Sequence, residues 1–132
     1  MKSLIVDDSA LIRTTLRAAF AKRSWVVCGG AANGCEGIDK ARQLQPDLIV
    51  IDLTMPLMNG IDASRMLKRI MPAIPILMFT AFTDSHFKAA ALAAGVREVI
   101  NKLDSATLMS SIQKLSEVRP YLFQIHPVKD VL

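Results

Sequence analysis

The sequence predicts an α/β domain in which a five-stranded parallel sheet is covered by helices on both faces. Three observations carry that expectation. Short runs rich in Val, Ile and Leu alternate five times with segments whose apolar residues recur at helical spacing. That order builds a parallel sheet joined by right-handed crossovers. The runs are continuous rather than alternating, as strands covered on both sides require, and helix-capping residues fall between the two kinds of segment.

The first run is "SLIV" at 3–6, followed by Ser9 as an N-cap and a helix carrying Leu11, Ile12, Leu16 and Phe20. The second is "WVVC" at 25–28, then Asn33 as a cap and a helix with Ile38, Ala41 and Leu44. "LIVI" at 48–51 is the third, and Ile61, Met66, Leu67 and Ile70 mark the helix after it. The fourth, "IPILMF" at 74–79, leads through Asp84 into the alanine-rich "KAAALAA", which Gly95 ends as a C-cap glycine. The fifth, "VREVI" at 96–100, precedes Asp104 or Ser105 as a cap and a helix with Leu108, Ile112 and Leu115. This assigns residues 1–118 to one domain. Residues 119–132, with two prolines, are a C-terminal tail or the start of a linker.

Composition narrows the function. An apolar fraction of 52% against 21% charged excludes a disordered chain. No apolar stretch approaches a membrane span, and no signal-peptide pattern follows Met1. Cys28 and Cys35 are too few for a disulfide framework and read as reduced thiols, so a cytoplasmic protein is expected. The net charge of +4 raises a nucleic-acid reading, but the sixteen Lys and Arg residues are scattered at helical spacings, as on a solvated face. No direct nucleic-acid binding and no membrane partner are expected.

In an open parallel sheet, ligands bind beyond the carboxyl ends of the strands. There the sequence places Asp7-Asp8 after the first strand, Asp52 after the third, Thr80 after the fourth and Asn101-Lys102 after the fifth. The second strand ends in "GGAA", with nothing to do chemistry. If the strand order is 2-1-3-4-5, the second is an edge and the polar ends share a small volume, since neighbouring strands sit about 4.8 Å apart. Three carboxylates so placed repel unless positive charge lies among them. Lys102 supplies one charge, and an oxygen-lined acidic pocket suits Mg²⁺. Adding a hydroxyl at Thr80 gives the parts needed for phosphoryl transfer onto an aspartate.

Asp7-Asp8, Asp52 followed by "TMPLMNG", Thr80-Ala81 and Lys102 together resemble the receiver domain of two-component response regulators, the chemotaxis-regulator kind included. The match runs from residue 1 to about 118. The resemblance implies a flavodoxin-like doubly wound (βα)5 sandwich with strand order 2-1-3-4-5. It implies that Asp52 accepts a phosphoryl group from a sensor histidine kinase, a phosphotransfer protein or a small donor such as acetyl phosphate. Asp8 would ligate Mg²⁺ directly, Asp7 through water, and Asp52 and the Thr54 carbonyl would complete the protein ligands. Thr80 and Lys102 would bind the phosphoryl group, Ala81 would leave room beside it, and Pro56 and Gly60 would shape the covering loop. Output would pass to a downstream domain or target protein through the face of helix four, strand five and helix five, with a dimer formed on phosphorylation. Arg13, Thr14 and Arg17 on the first helix would be kinase contacts. Two positions depart from the family: Val99 stands where an aromatic is usual, and Leu103 replaces the proline after the lysine. Without that proline a trans 102–103 bond is expected.

Other motifs carry less. "TDSH" at 83–86 is a helix start capped by Asp84, since sequence neighbours there cannot form a catalytic triad. His86 and His126 lack partners at zinc-ligand spacing. "GGAANGCEG" at 29–37 lacks the spacing of a nucleotide loop. An aspartyl phosphatase commonly carries a second aspartate two residues after the first, and here that residue is Thr54. A pseudo-receiver that binds without chemistry is disfavoured by the intact set of three Asp, Thr and Lys.

Overall fold

A computed structural model describes the backbone of residues 1–130 and the side chains of residues 1–118. It divides into two compact units, Met1–Lys102 and Leu103–Leu132. The first contains β1 (Lys2–Val6), α1 (Ala10–Ala21), β2 (Val26–Ala31), α2 (Gly34–Leu44), β3 (Leu48–Ile51), α3 (Gly60–Ile70), β4 (Ile76–Thr80), α4 (Ser85–Ala93) and β5 (Glu98–Asn101). The five strands form one sheet, all pairs parallel, in the order β2-β1-β3-β4-β5. This is the flavodoxin-like arrangement expected, and its order reverses between β1 and β3, which opens a crevice beyond their carboxyl ends.

Alternation along the strands feeds both faces of the sheet. Leu4 and Val6, Ile49 and Ile51, Ile76 and Met78 pack in one cluster with Ile38 and Ala41 of α2, Ala63 and Leu67 of α3 and Ala91 of α4. Ile5, Val50 and Leu77, on the opposite face by alternation, are buried as well, and so are Leu16 and Phe20 of α1. The helical stripes differ from expectation in two places. Leu11 is 74% exposed, and Met66 and Ile70 of α3 are 40% and 39% exposed, while Ala63 and Ser64 take buried positions beside Leu67. Small residues let α3 approach the sheet closely, which a search for bulky apolar residues overlooks.

Capping follows the sequence. Ser9, Asn33 and Asp84 each accept the expected backbone N–H at their helix starts, and Gly95 adopts φ 102 after α4. Asn59 caps α3 and was not anticipated. Strand β2 runs three residues further than expected, through Gly29, Gly30 and Ala31. The glycines belong to the strand because side chains from neighbouring helices lie against them: a Cβ on Gly29 would sit 2.6 Å from Leu44 Cδ1.

In the second unit, Asp104 accepts from the Thr107 amide and hydroxyl at the start of α5 (Ser105–Asp130), and Leu108 and Ile112 are fully buried. The helix was expected to stop before residue 119. Its backbone continues past Pro120 and Pro127, since each proline removes one N–H and one helical bond without forbidding helical dihedrals. The side chains of residues 119–132 and the whole of 131–132 lie outside the described residues. Among the described residues no peptide bond is cis, so the Lys102–Leu103 bond is trans as expected.

Candidate functional site

Asp7, Asp52 and Lys102 each stand one residue beyond a strand, and each is held there by its own backbone amide. Asp7 N donates to Ala31 O and Asp52 N to Val6 O, both at 2.9 Å, and Lys102 N donates to Thr80 O at 2.9 Å. The sheet thus delivers these side chains to a common rim without relying on loop conformation. Asp7, Asp52 and Thr80 are buried, and Asp8 is exposed.

The Lys102 ammonium bridges the first and third strands, with Nζ 3.0 Å from Asp7 Oδ2 and 3.1 Å from Asp52 Oδ2. The remaining oxygens accept from the backbone, Asp7 Oδ1 from Ser9 N at 2.9 Å and Asp52 Oδ1 from Leu53 N at 2.8 Å. Thr80 Oγ1 accepts from the Phe82 amide at 3.2 Å, which ties the hydroxyl to the loop before α4.

Burial pushes the Asp52 carboxyl above the ordinary range, and the charge of Asp7 pushes the same way; the bond and charge of Lys102 and the Leu53 amide only partly offset them. Burial pulls the Lys102 ammonium down, but its bonds to Asp7 and Asp52 and their charges outweigh that, leaving it raised. For Asp52 the linkage has a definite sign. Between the ordinary carboxylate range and its raised native value, the folded state keeps a proton that the unfolded chain has released. Ionised Asp52 therefore costs stability as pH rises through that window, and the cost persists at neutral pH. In chelator, Asp52→Asn should raise the thermal midpoint at neutral pH and lose that advantage in acid. Melts across pH check this; a variant less stable than wild type at neutral pH would contradict it.

Asp7, Asp8 and Asp52 offer carboxylate oxygens that all lie within 4.8 Å of one another. Three carboxylates face one ammonium, so Lys102 alone leaves negative charge uncompensated. Hard oxygen donors, partly buried and open to water on the Asp8 side, fit Mg²⁺, which takes a few carboxylates and keeps several waters. Thr54 is exposed in the loop after β3.

That loop is shaped as Pro56 and Gly60 suggest. Met58 N donates to Pro56 O at 2.7 Å across Leu57, which adopts φ 67, and Gly60 N donates to Leu53 O at 2.8 Å. A Cβ on Gly60 would lie 2.0 Å from the Asp52 carbonyl oxygen, so α3 starts directly against the backbone of the acidic residue. A recess of about 320 Å³ beside the loop is lined by Leu53, Thr54, Met55, Asn59, Ile61, Asp62, Phe82 and Phe87. Ala81 is exposed next to Thr80, and Val99 packs against the core cluster.

Thr14 and Arg17 of α1 are exposed, as anticipated. Arg13 is not: it is half-buried, and its Nη1 donates to the Asp7 carbonyl at 2.5 Å. Sequence reasoning placed it on a solvated face and so missed this bond, which only the closeness of α1 to the end of β1 reveals.

Comparison with known proteins agrees with this geometry. The family model described as response regulator receiver domain matches residues 3–113. Chemotaxis protein CheY of Thermotoga maritima is 35% identical over 115 residues, covering 86% of this chain and 96% of the relative. Response regulator protein VraR of Staphylococcus aureus is 37% identical over 118 residues, covering 88% of this chain but 56% of the longer relative. Among solved structures, a two-component response regulator of the LuxR family from Aurantimonas sp. SI85-9A1 superposes with a TM-score of 0.82 at 32% identity, covering 88% of this chain and 85% of that one.

Proposed function

The chain belongs to the response regulator receiver domain family, a family of phosphoryl-accepting signalling switches, and from that membership we propose that Asp52 is its phosphoacceptor. One observation carries the reading: Lys102 Nζ lies 3.0 and 3.1 Å from carboxylates of two different strands, beside a third carboxylate suited to a divalent cation.

Asp52 would attack the phosphorus of a phosphohistidine or acetyl phosphate. A new O–P bond forms at Asp52 as the bond to the donor breaks; from phosphohistidine the imidazole leaves and takes up a proton from solvent, and from acetyl phosphate acetate leaves as the carboxylate. Mg²⁺ held by Asp7, Asp8, Asp52 and the Thr54 carbonyl would neutralise charge on the transferring oxygens. Lys102 gives up its contact with Asp52 to pair with a phosphoryl oxygen. The Thr80 hydroxyl leaves the Phe82 amide and turns to another oxygen, with Ala81 leaving space for the group. Because Thr80 Oγ1 accepts from the Phe82 amide in the resting state, its departure frees that amide and releases the loop before α4, a route to the surface that needs no aromatic at Val99.

The domain is proposed to span residues 1–118, with 119–132 a tail or linker, to act in the cytoplasm, and to catalyse only its own phosphotransfer and autodephosphorylation. Among the described residues no helix is long and apolar enough to cross a membrane. The phosphoryl donor is proposed to be a sensor histidine kinase or phosphotransfer protein, and the recipient of the signal a downstream domain or target on the face of helix four, strand five and helix five, with dimerisation on phosphorylation.

Acetyl phosphate with Mg²⁺ should load the protein once, and chelator should abolish loading. Generic phosphomonoesters should give no sustained turnover, because no second aspartate stands at position 54 to act as acid or base. Multiple turnovers would establish a phosphatase instead, and loading unaffected by chelator would remove the cation from the account.

A further inference from the structure

We infer that Arg13 is a positioning residue for the acidic pocket, holding the Asp7–Asp8 peptide in the orientation that aims Asp8 at a divalent cation, and that Gly30 exists to let it reach. The inference rests on the proposed cation at that pocket and extends it to two residues that the phosphoryl chemistry does not use.

The two carboxylates of the pair are fixed very differently. The Asp7 carboxylate is held at both oxygens, by the Ser9 amide and by Lys102. Among the described residues, no hydrogen bond or ion pair holds the exposed Asp8 carboxylate. Its direction is therefore set by the backbone, and above all by the peptide plane that joins residues 7 and 8. The plane before Asp7 is anchored where its N–H donates to Ala31 O. The plane after it is anchored by Arg13, whose Nη1 donates to the Asp7 carbonyl at 2.5 Å. A charged donor on a carbonyl makes a stronger and more directional bond than a neutral one.

The Arg13 side chain that makes that bond passes close to Gly30 of strand β2, which leaves room for it. Gly30 pairs with Ile5 in the β1 register, close to the strand's end. A Cβ there would stand 3.2 Å from Arg13 Cδ and 3.2 Å from Arg17 Nη2. The guanidinium stem thus lies across a position with no side chain. This accounts for one glycine of the "GGAANGCEG" stretch that has no nucleotide-binding role.

The test is Mg²⁺ affinity of the unphosphorylated protein, by calorimetric titration or amide NMR shifts. Residues that orient metal ligands typically contribute ten- to a hundredfold in affinity. Arg13→Met should weaken binding by about tenfold at the lower end of that range, and Arg13→Lys should restore part of it, since an ammonium can still donate to the carbonyl. Gly30→Val keeps the arginine but displaces its stem, and should weaken binding similarly, which covers the case in which Arg13→Met fails to fold. Arg17→Met, a neighbour at the same glycine without a bond to Asp7, should bind Mg²⁺ as wild type does. Unchanged affinity in Arg13→Met, or an equal loss in Arg17→Met, would overturn the positioning role while leaving the phosphoacceptor reading in place. No Mg²⁺ binding by wild type would overturn both.

Discussion

Gly60→Ala is expected to destabilise the domain by about 2–3 kcal/mol, near the upper end of overpacking costs, which lowers the midpoint of a domain this size by roughly 10 °C. Alanine at the first turn of α3 would ordinarily help, because glycine costs a helix about 1 kcal/mol relative to alanine. Here the added carbon would lie 2.0 Å from Asp52 O, 2.9 Å from Asp52 C and 3.1 Å from Leu53 Cα. All three are backbone atoms, so no rotamer change relieves the overlap; either α3 withdraws or the end of β3 moves. The clash outweighs the propensity, and its second effect follows from where it falls. Moving the Asp52 backbone shifts the carboxylate relative to Lys102, so phosphorylation should slow even at temperatures where the variant is folded. Thermal unfolding beside loading by acetyl phosphate checks both parts, and a variant as stable as wild type would show that the loop yields more easily than its hydrogen bonds suggest.

Lys102→Met is expected to slow phosphorylation strongly while also costing stability. The lysine side chain is 21% exposed, and its two partners are nearly inaccessible, at 3% and 7%. Removing it leaves Asp7 and Asp52 facing each other without a counter-charge, and uncompensated buried charge costs about 3–5 kcal/mol. The loss should shrink in acid, as Asp52, whose carboxyl is already raised by burial and by Asp7, takes up a proton. Added Mg²⁺ should also recover part of it. Loading should not recover with Mg²⁺: removing one preorganised group that stabilises developing charge typically costs about 10²–10³ in rate. A Lys102→Met protein that loads at the wild-type rate would remove the lysine from the chemistry.

The features legible in the sequence share a physical cause. Asp7, Asp52, Thr80 and Lys102 could be placed because a parallel sheet fixes where strand ends meet; the first three directly follow continuous apolar runs, and Lys102 follows Asn101 at the end of the fifth strand. The stop of β2 was misjudged because glycine has no side chain with which to signal a strand, and Gly29 and Gly30 are explained only by the helices lying against them. Met66 and Ile70 looked like core by spacing, yet α3 buries Ala63 and Ser64 beside Leu67. Arg13 was hidden for a different reason: its bond to the Asp7 carbonyl spans a helix and a loop, and a backbone acceptor leaves no trace in the residue type. Asn59 was overlooked as a cap although Asp62 three residues later completes a recognisable pattern, with the two joined at 2.9 and 3.1 Å.

The most direct test of the central claim is the intact mass of wild type and Asp52→Asn after incubation with acetyl phosphate and Mg²⁺. The geometry predicts one phosphate adduct on wild type and none on the variant, which keeps the shape of the acceptor but not its nucleophilic oxygen. An adduct of equal yield on Asp52→Asn would place the phosphoryl group elsewhere and contradict the account.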